Sequence, residues 1–149
     1  MAAKIYSHFF EHLGGGDAAS EEGIADLLSD TIKGSLRDNH TPDQTGDSVY
    51  ADLPADESSA TGYTAGGIIL SNKTYSTSSL TTTFDNTADL VWTITAGTLQ
   101  TNTIVFYDDS ALDPADCLIS YDDFGAQSVS GADFSYVPHA SGIWAVTVA

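Results

Sequence analysis

The chain has 149 residues, of which 21 are Asp or Glu and only four are Lys or Arg, giving a formal net charge of −17 at pH 7. The basic residues are scattered, and a surface of this sign repels phosphate backbones and anionic lipids, so we expect neither nucleic acid nor membrane as a partner. One domain of this length can remove roughly 68–70% of its unfolded surface from water. The single cysteine, Cys117, excludes an intramolecular disulfide and a Cys-rich zinc site.

The N-terminal segment has apolar residues at three- and four-residue spacing, which predicts a short helix over residues 4–13. These residues are Ile5, Tyr6, Phe9, Phe10 and Leu13. Three glycines at 14–16 end it, and a second short helix is predicted at 21–28 with Ser20 as its N-cap. Residues 1–13 are too short and too polar for a signal peptide, and no apolar run reaches the ~18 residues of a membrane span. We expect a soluble protein made in the cytoplasm.

From residue 31 onward, β-branched and aromatic residues alternate with Ser and Thr, and Gly, Asn and Asp interrupt short runs. This texture predicts many short strands. The predicted strands are 31–37, 68–76, 80–84, 90–96, 98–107, 117–121, 128–138 and 143–148. Their number and spacing favour an all-β fold, an antiparallel β-sandwich or distorted barrel with a short N-terminal helix. We divide the chain into an N-terminal helix or arm, 1–16, and a single β domain, 17–149.

Residues 38–66 contain two prolines, many small polar residues and no sustained hydrophobic period. This composition predicts a long surface loop. Long loops in compact domains are usually functional, so an intermolecular contact is one interpretation. A solvated flexible loop is the other, and composition does not separate them.

A metal-binding pattern, H-x-x-E-H, occurs at residues 8–12. In one class of metallopeptidases two such histidines bind zinc, with a third ligand from a later helix. No later helical Glu is evident here, so we interpret the motif as part of an amphipathic helix and expect no zinc. Acidic residues at 108–109 and 122–123, with Asp113 and Asp116, leave calcium binding open if their loops converge, although no EF-hand spacing is present.

Catalytic signatures are equally weak. The chain has no G-x-S-x-G motif, and Cys117 lies beside Leu118 and Ile119 in a predicted strand, which is typical of a buried small hydrophobe. Paired carboxylates are abundant in any acidic protein and carry little information. We therefore expect no enzymatic activity, no catalytic residue and no cofactor.

A set of aromatic and glycine motifs occurs in a fixed order along the chain. The motifs are TGYTAGG at 61–67, Trp92, VFY at 105–107, LISYDDFG at 118–125 and SGIW at 141–144. In order and spacing this set resembles a family of small virion proteins of tailed bacteriophages, over about residues 30–149. One departure is Gly34, where a strand-forming aliphatic residue is common.

The resemblance implies a structural virion protein, and we favour a capsid decoration or cement protein on the outer surface of the head. Its expected partners are the major capsid protein and copies of itself, with a trimer favoured. A neck, tail or fibre component is an alternative in the same particle, and a carbohydrate-binding adhesion module is an alternative of another class. The resemblance implies no catalytic residue.

Candidate contact residues follow from aromatic content in the arm and in the 38–66 segment. They are Ile5, Tyr6, Phe9, Phe10, Tyr50 and Tyr63. Phe9 and Phe10 together offer more aromatic surface than a short helix needs for its own docking. Three other large side chains are predicted anchors of the core. These are Trp92, Phe124 and Trp144.

Overall fold

The computed structural model describes residues 4–13, 26–110 and 116–147. These residues form one α-helix, one 3₁₀ helix and antiparallel strands, which confirms the predicted all-β class. The elements in chain order are β1 (Lys4–Ile5), α1 (Ser7–Leu13), β2 (Ile32–Arg37), the 3₁₀ helix (Tyr50–Asp52), β3 (Ile68–Ile69), β4 (Lys73–Ser78), β5 (Thr81–Asn86), β6 (Leu90–Thr93), β7 (Leu99–Asp108), β8 (Leu118–Val129), β9 (Asp133–Tyr136) and β10 (Trp144–Thr147).

The described strands form three sheets. A five-stranded sheet has the order β1-β8-β7-β2-β3, a three-stranded sheet the order β10-β5-β4, and β6 pairs with β9. Buried side chains from all three sheets meet in one hydrophobic core, so the two smaller sheets form the second layer of a sandwich-like fold. Its largest members include Leu36, Ile104, Phe106, Phe84, Trp92 and Trp144.

Two of the predicted strands, 68–76 and 128–138, each combine parts of two observed strands. The predicted strand 68–76 is two strands, because the chain leaves the five-stranded sheet after β3 and enters the three-stranded sheet at β4. The predicted break between 121 and 128 lies inside β8, which runs on to Val129. A register shift between Thr101 and Thr103 of β7, opposite Gln127 and Asp123, absorbs the extra residues as a bulge.

Gly34 has a packing role that explains its departure from the expected aliphatic residue. A Cβ at this position would lie 2.7 Å from Cδ2 of Leu90 and 3.0 Å from Cδ1 of Ile104. Gly67, with a φ of +83°, faces it across the β2–β3 pair, and a Cβ there would overlap the Gly34 carbonyl. Both glycines therefore allow β3 and the core to approach β2 closely.

The N-terminal helix is shorter than predicted. Only Ser7–Leu13 is helical, whereas Lys4–Ile5 pairs with β8 as an edge strand. Of the second predicted helix, residues 21–25 lie outside the described residues, and 26–30 form a single turn closed by the Asp30 N–H donating to the Asp26 carbonyl. Within the described ranges, neither helix is long and apolar enough to cross a membrane.

Candidate interaction surface

The outer face of the five-stranded sheet carries a second, smaller hydrophobic cluster. Residues from β7 and β8 form its floor, and Tyr6, Leu53 and Tyr50 cover it. The floor consists of Val105, Tyr107, Leu118 and Tyr121. Part of the 38–66 segment thus packs across the outer face of the sheet. This cover stabilises the fold, because it removes the apolar side chains of β7 and β8 from water.

A buried polar cluster around Arg37, the only arginine of the chain, ties the 38–66 segment to β2. Nη1 of Arg37 donates to Oδ1 of Asp56 and to the Pro54 carbonyl, each at 3.2 Å. Nδ1 of His40 lies 2.6 Å from the other carboxylate oxygen of Asp56. The guanidinium also lies over the Tyr50 ring, 4.5 Å from its centroid. Arg37 and His40 are both buried, and Asp56 places one carboxylate oxygen within hydrogen-bond distance of each of them.

Tyr63, from the TGYTAGG motif, makes a second polar link. Its hydroxyl donates to Oε1 of Glu57 at 2.8 Å, and the Gly66 N–H donates to the same oxygen at 2.5 Å. The hydroxyl of Ser35 on β2 lies 2.9 Å from the Tyr50 hydroxyl. Burial raises the pKa of Tyr63 above its ordinary value. Tyr50 and Tyr63 are therefore half-buried and use their hydroxyls within the chain, which leaves each only a limited contact area.

The N-terminal segment is docked onto the 38–66 segment. The Gln44 side-chain amide donates to the Ile5 carbonyl, and the Ser7 N–H donates to the Gln44 carbonyl at 3.1 Å. Nε2 of His8 lies 3.0 Å from the Thr45 carbonyl. These contacts place the arm in a fixed position on the sandwich.

The predicted contact residues do not share one surface. Tyr6 and Phe9 are fully buried, so their assignment as contact residues is corrected: each fills a core of its own chain, with Phe9 6.1 Å from Trp144 between ring centroids. Ile5 is half-buried, and Phe10 is 50% exposed. Of the predicted contact residues, Phe10 is thus the one with the most exposed apolar side chain.

The three predicted anchors all contact the core between the layers. Trp92 and Trp144 are buried, and Phe124 is half-buried against it, 5.8 Å from Phe134 between ring centroids. Phe124 lies at the bulge of β8, where the following Gly125 has a φ of +79°. It packs against the core from this bulge and keeps some exposure.

The metal hypotheses find no support among the described residues, where no group of three or more His, Cys, Asp or Glu is arranged to hold an ion. The side chains of Glu11 and His12, and Asp113, lie outside the described residues. Asp122 pairs with Ile104, four residues along β7 from Asp108, so the acidic pairs are roughly 14 Å apart at ~3.4 Å per residue. Asp122 instead accepts a hydrogen bond from the Tyr136 hydroxyl at 3.1 Å.

Asp108, at the end of β7, is an unusual carboxylate because it is only 1% exposed. Its Oδ1 accepts from the Ser110 N–H at 2.9 Å, whereas its Oδ2 has no hydrogen-bond partner among the described residues. Burial, and the nearby Asp30 carboxylate, raise the pKa of Asp108 from 3.8 to about 6. Folding therefore favours its protonated form.

This raised pKa predicts a pH-dependent effect of Asp108→Asn. The stability that protonated Asp108 confers is fully present below pH 3.8 and is lost as the pH rises through about 6. We expect the variant to match the parent chain near pH 4 and to exceed it by about 2–3 kcal/mol at pH 7. Urea denaturation across this range measures the difference. Asp133→Asn, which removes an exposed carboxylate, is the control; an equal gain from both variants at pH 7 would attribute the effect to net charge.

An open cleft of about 220 Å³ lies beside Glu57. It is lined by Asp38, Glu57, Ser58, Ser59, Thr98 and Gln100. Carbohydrate sites usually present aromatic faces for stacking, and no aromatic residue lines this cleft. The cleft therefore does not favour the adhesion-module alternative.

The sequence interpretation missed one exposed feature, the β4–β5 hairpin. Tyr75 and Leu80 are among its exposed large apolar side chains, and no charged residue occurs between Lys73 and Asp85. The sequence signal was present, because an uncharged run of this length stands out in a chain with 21 carboxylates.

Comparisons with protein-family models, with curated proteins and with solved structures each returned no match for this chain.

Proposed function

We propose that this chain is a structural virion protein of a tailed bacteriophage, a capsid decoration or cement protein on the outer surface of the head. The observation that carries the proposal is the docked N-terminal segment, which presents Phe10 half-exposed at the surface. This arm is also poor in carboxylates, since residues 1–13 contain Lys4 and a single carboxylate, Glu11. The motif resemblance to small phage virion proteins supports the same assignment.

The mechanism would be burial of apolar surface across joints between capsid subunits. Each contact need not be tight, because a shell offers many identical sites and multivalent contacts add. A half-exposed aromatic side chain on a fixed backbone loses little conformational entropy on binding, which suits it as an anchor. The remaining acidic surface would face outward and keep particles apart in solution.

Rebinding of the purified protein to stripped capsids tests the proposal. We expect the parent chain to rebind in near-stoichiometric copy number, and Phe10→Ala to weaken rebinding at least tenfold, as loss of a central aromatic contact typically does. Leu80→Ala is the matched control, because Leu80 is similarly exposed but lies on the β4–β5 hairpin. Deleting residues 1–16 is a poor test, since it also removes the buried Tyr6 and Phe9.

Other outcomes separate the alternatives. A few or about a dozen copies per virion, instead of hundreds, would place the chain in the neck or tail. Glycan binding that is abolished by EDTA would move the assignment to an adhesion module. Equal rebinding by the parent chain and Phe10→Ala would contradict the role of the arm.

A further inference from the structure

β4 is the outer strand of the three-stranded sheet, and no described strand pairs with its free edge. Every residue from 74 to 80 is exposed, and the one ring contact in this part of the chain is that of Tyr75 with Trp144. Tyr75 and Leu80 add large apolar groups, 49% and 62% exposed. The edge is accessible to another strand from the side.

The direction of its backbone groups follows from the ladder with β5. The Thr87 N–H donates to the Asn72 carbonyl at 3.0 Å, just before β4 begins. Antiparallel pairs alternate between bonded and non-bonded positions, so Thr74, Ser76 and Ser78 bond to β5. Lys73, Tyr75 and Thr77 therefore direct their N–H and C=O groups toward the free edge.

Exposed strand edges are usually protected against pairing by shortness, charge or proline. The outer strands β1 and β3 have two residues each, and β9 begins at Asp133 and is soon followed by Pro138. β10, the other outer strand of the same sheet, has four residues. β4 has six residues, and after Lys73 it carries neither charge nor proline.

We propose that β4 pairs antiparallel with β4 of a second copy of this chain, about a two-fold axis. The distribution of carboxylates favours a second copy of this chain as the partner at this edge. Two copies, each with a net charge of −17, repel each other over most of their surfaces, and they can approach where carboxylates are missing. The Ser and Thr side chains of β4 suit cross-strand pairing with themselves, and the contact covers apolar surface of Tyr75.

A two-fold contact of this kind closes at two copies, so the proposal predicts a dimer in place of the trimer expected from the sequence. The pairing does not depend on the capsid role, because it concerns the isolated protein. It adds main-chain hydrogen bonds to each strand and extends two three-stranded sheets into one of six strands.

Sedimentation equilibrium of the full chain over a range of concentrations tests the pairing. We expect a monomer–dimer equilibrium that tightens between about 0.15 and 0.5 M salt, because screening reduces the repulsion between copies. Thr77→Pro removes one outward N–H from each copy and should weaken the dimer roughly thirtyfold, equivalent to about 2 kcal/mol. Thr77→Ala keeps the N–H and should dimerise like the parent chain.

Two further variants keep the test decisive. Ser76→Glu places like charges across the pair without touching an outward N–H, and should weaken the dimer most at low salt. Ala145→Pro removes an N–H from the edge of β10 and should leave the dimer intact. Melting temperatures measured at low concentration check that each variant folds.

A chain that is monomeric at every concentration, a trimeric mass, or equal weakening by Ala145→Pro and Thr77→Pro would overturn the pairing. A monomer that still rebinds capsids would overturn the pairing alone and leave the proposed function standing.

Discussion

Replacing Phe9 by alanine is expected to lower the free energy of unfolding by about 3–5 kcal/mol, the usual cost of removing a fully buried aromatic side chain. Phe9 is 0% exposed, and its ring lies 6.1 Å from that of Trp144, between centroids. The cavity would form where α1 meets the core between the sheets. Urea denaturation followed by tryptophan fluorescence measures the loss, because Trp144 reports directly on this site.

Phe10→Ala is the matched control for this prediction. The two residues are neighbours in the same helix, but Phe10 is half-exposed, so its removal should change stability by less than about 0.5–1 kcal/mol. Equal losses from both variants would show that Phe10 is covered in solution. A small loss from Phe9→Ala would show that α1 does not dock as described.

Phe9 and Phe10 also show that the buried side of the N-terminal helix could not be predicted from the sequence. Helical spacing placed Ile5, Tyr6, Phe9 and Phe10 on one stripe, but adjacent residues are about 100° apart on a helix, and they cannot face one surface equally. Moreover, residues 4–5 became a strand because the edge of β8 was free to pair with them. Which side of a short element is buried depends on the surface it meets, and that surface comes from residues more than 100 positions later in the chain.

The all-β class could be predicted from the local pattern of residues. The packing of the 38–66 segment on the outer face of the five-stranded sheet could not. Residues 104–107, Ile-Val-Phe-Tyr, form a continuous apolar run, which is typical of a strand buried on both faces. That run predicts a cover for the second face, but the composition of residues 38–66 conceals it. Only two large side chains of that segment, Tyr50 and Leu53, join the outer cluster, and the contacts of Asp56 with Arg37 and His40 are polar. Polar contacts of this kind produce no periodic pattern of hydrophobic residues in a sequence.

The attachment of the 38–66 segment depends most on Asp56, and Asp56→Ala should lower the free energy of unfolding by about 3–5 kcal/mol. The carboxylate neutralises Arg37, which is 3% exposed, and shares a hydrogen bond with buried His40 at 2.6 Å. Its loss leaves a buried guanidinium without a counter-ion, which costs far more than the pair itself contributes. Asp38→Ala is the control, because it removes an exposed carboxylate next to Arg37 in the chain and should change stability by less than about 0.5 kcal/mol.

A double-mutant cycle separates two effects of Asp56→Ala: the unpaired charge left on Arg37 and the loss of packing. Arg37→Met removes the charge but keeps an unbranched side chain against Tyr50, so Asp56→Ala should cost about 1–3 kcal/mol less in that background. Hydrogen exchange gives an independent measurement: in Asp56→Ala, protection should fall across residues 38–66 while the amides of β7 remain protected. Additive stability losses, or an unchanged exchange pattern, would show that the apolar contacts of Tyr50 and Leu53 hold the segment without the buried pair. If both results are as expected, the sheet keeps its cover because one carboxylate neutralises the only arginine of an otherwise acidic chain.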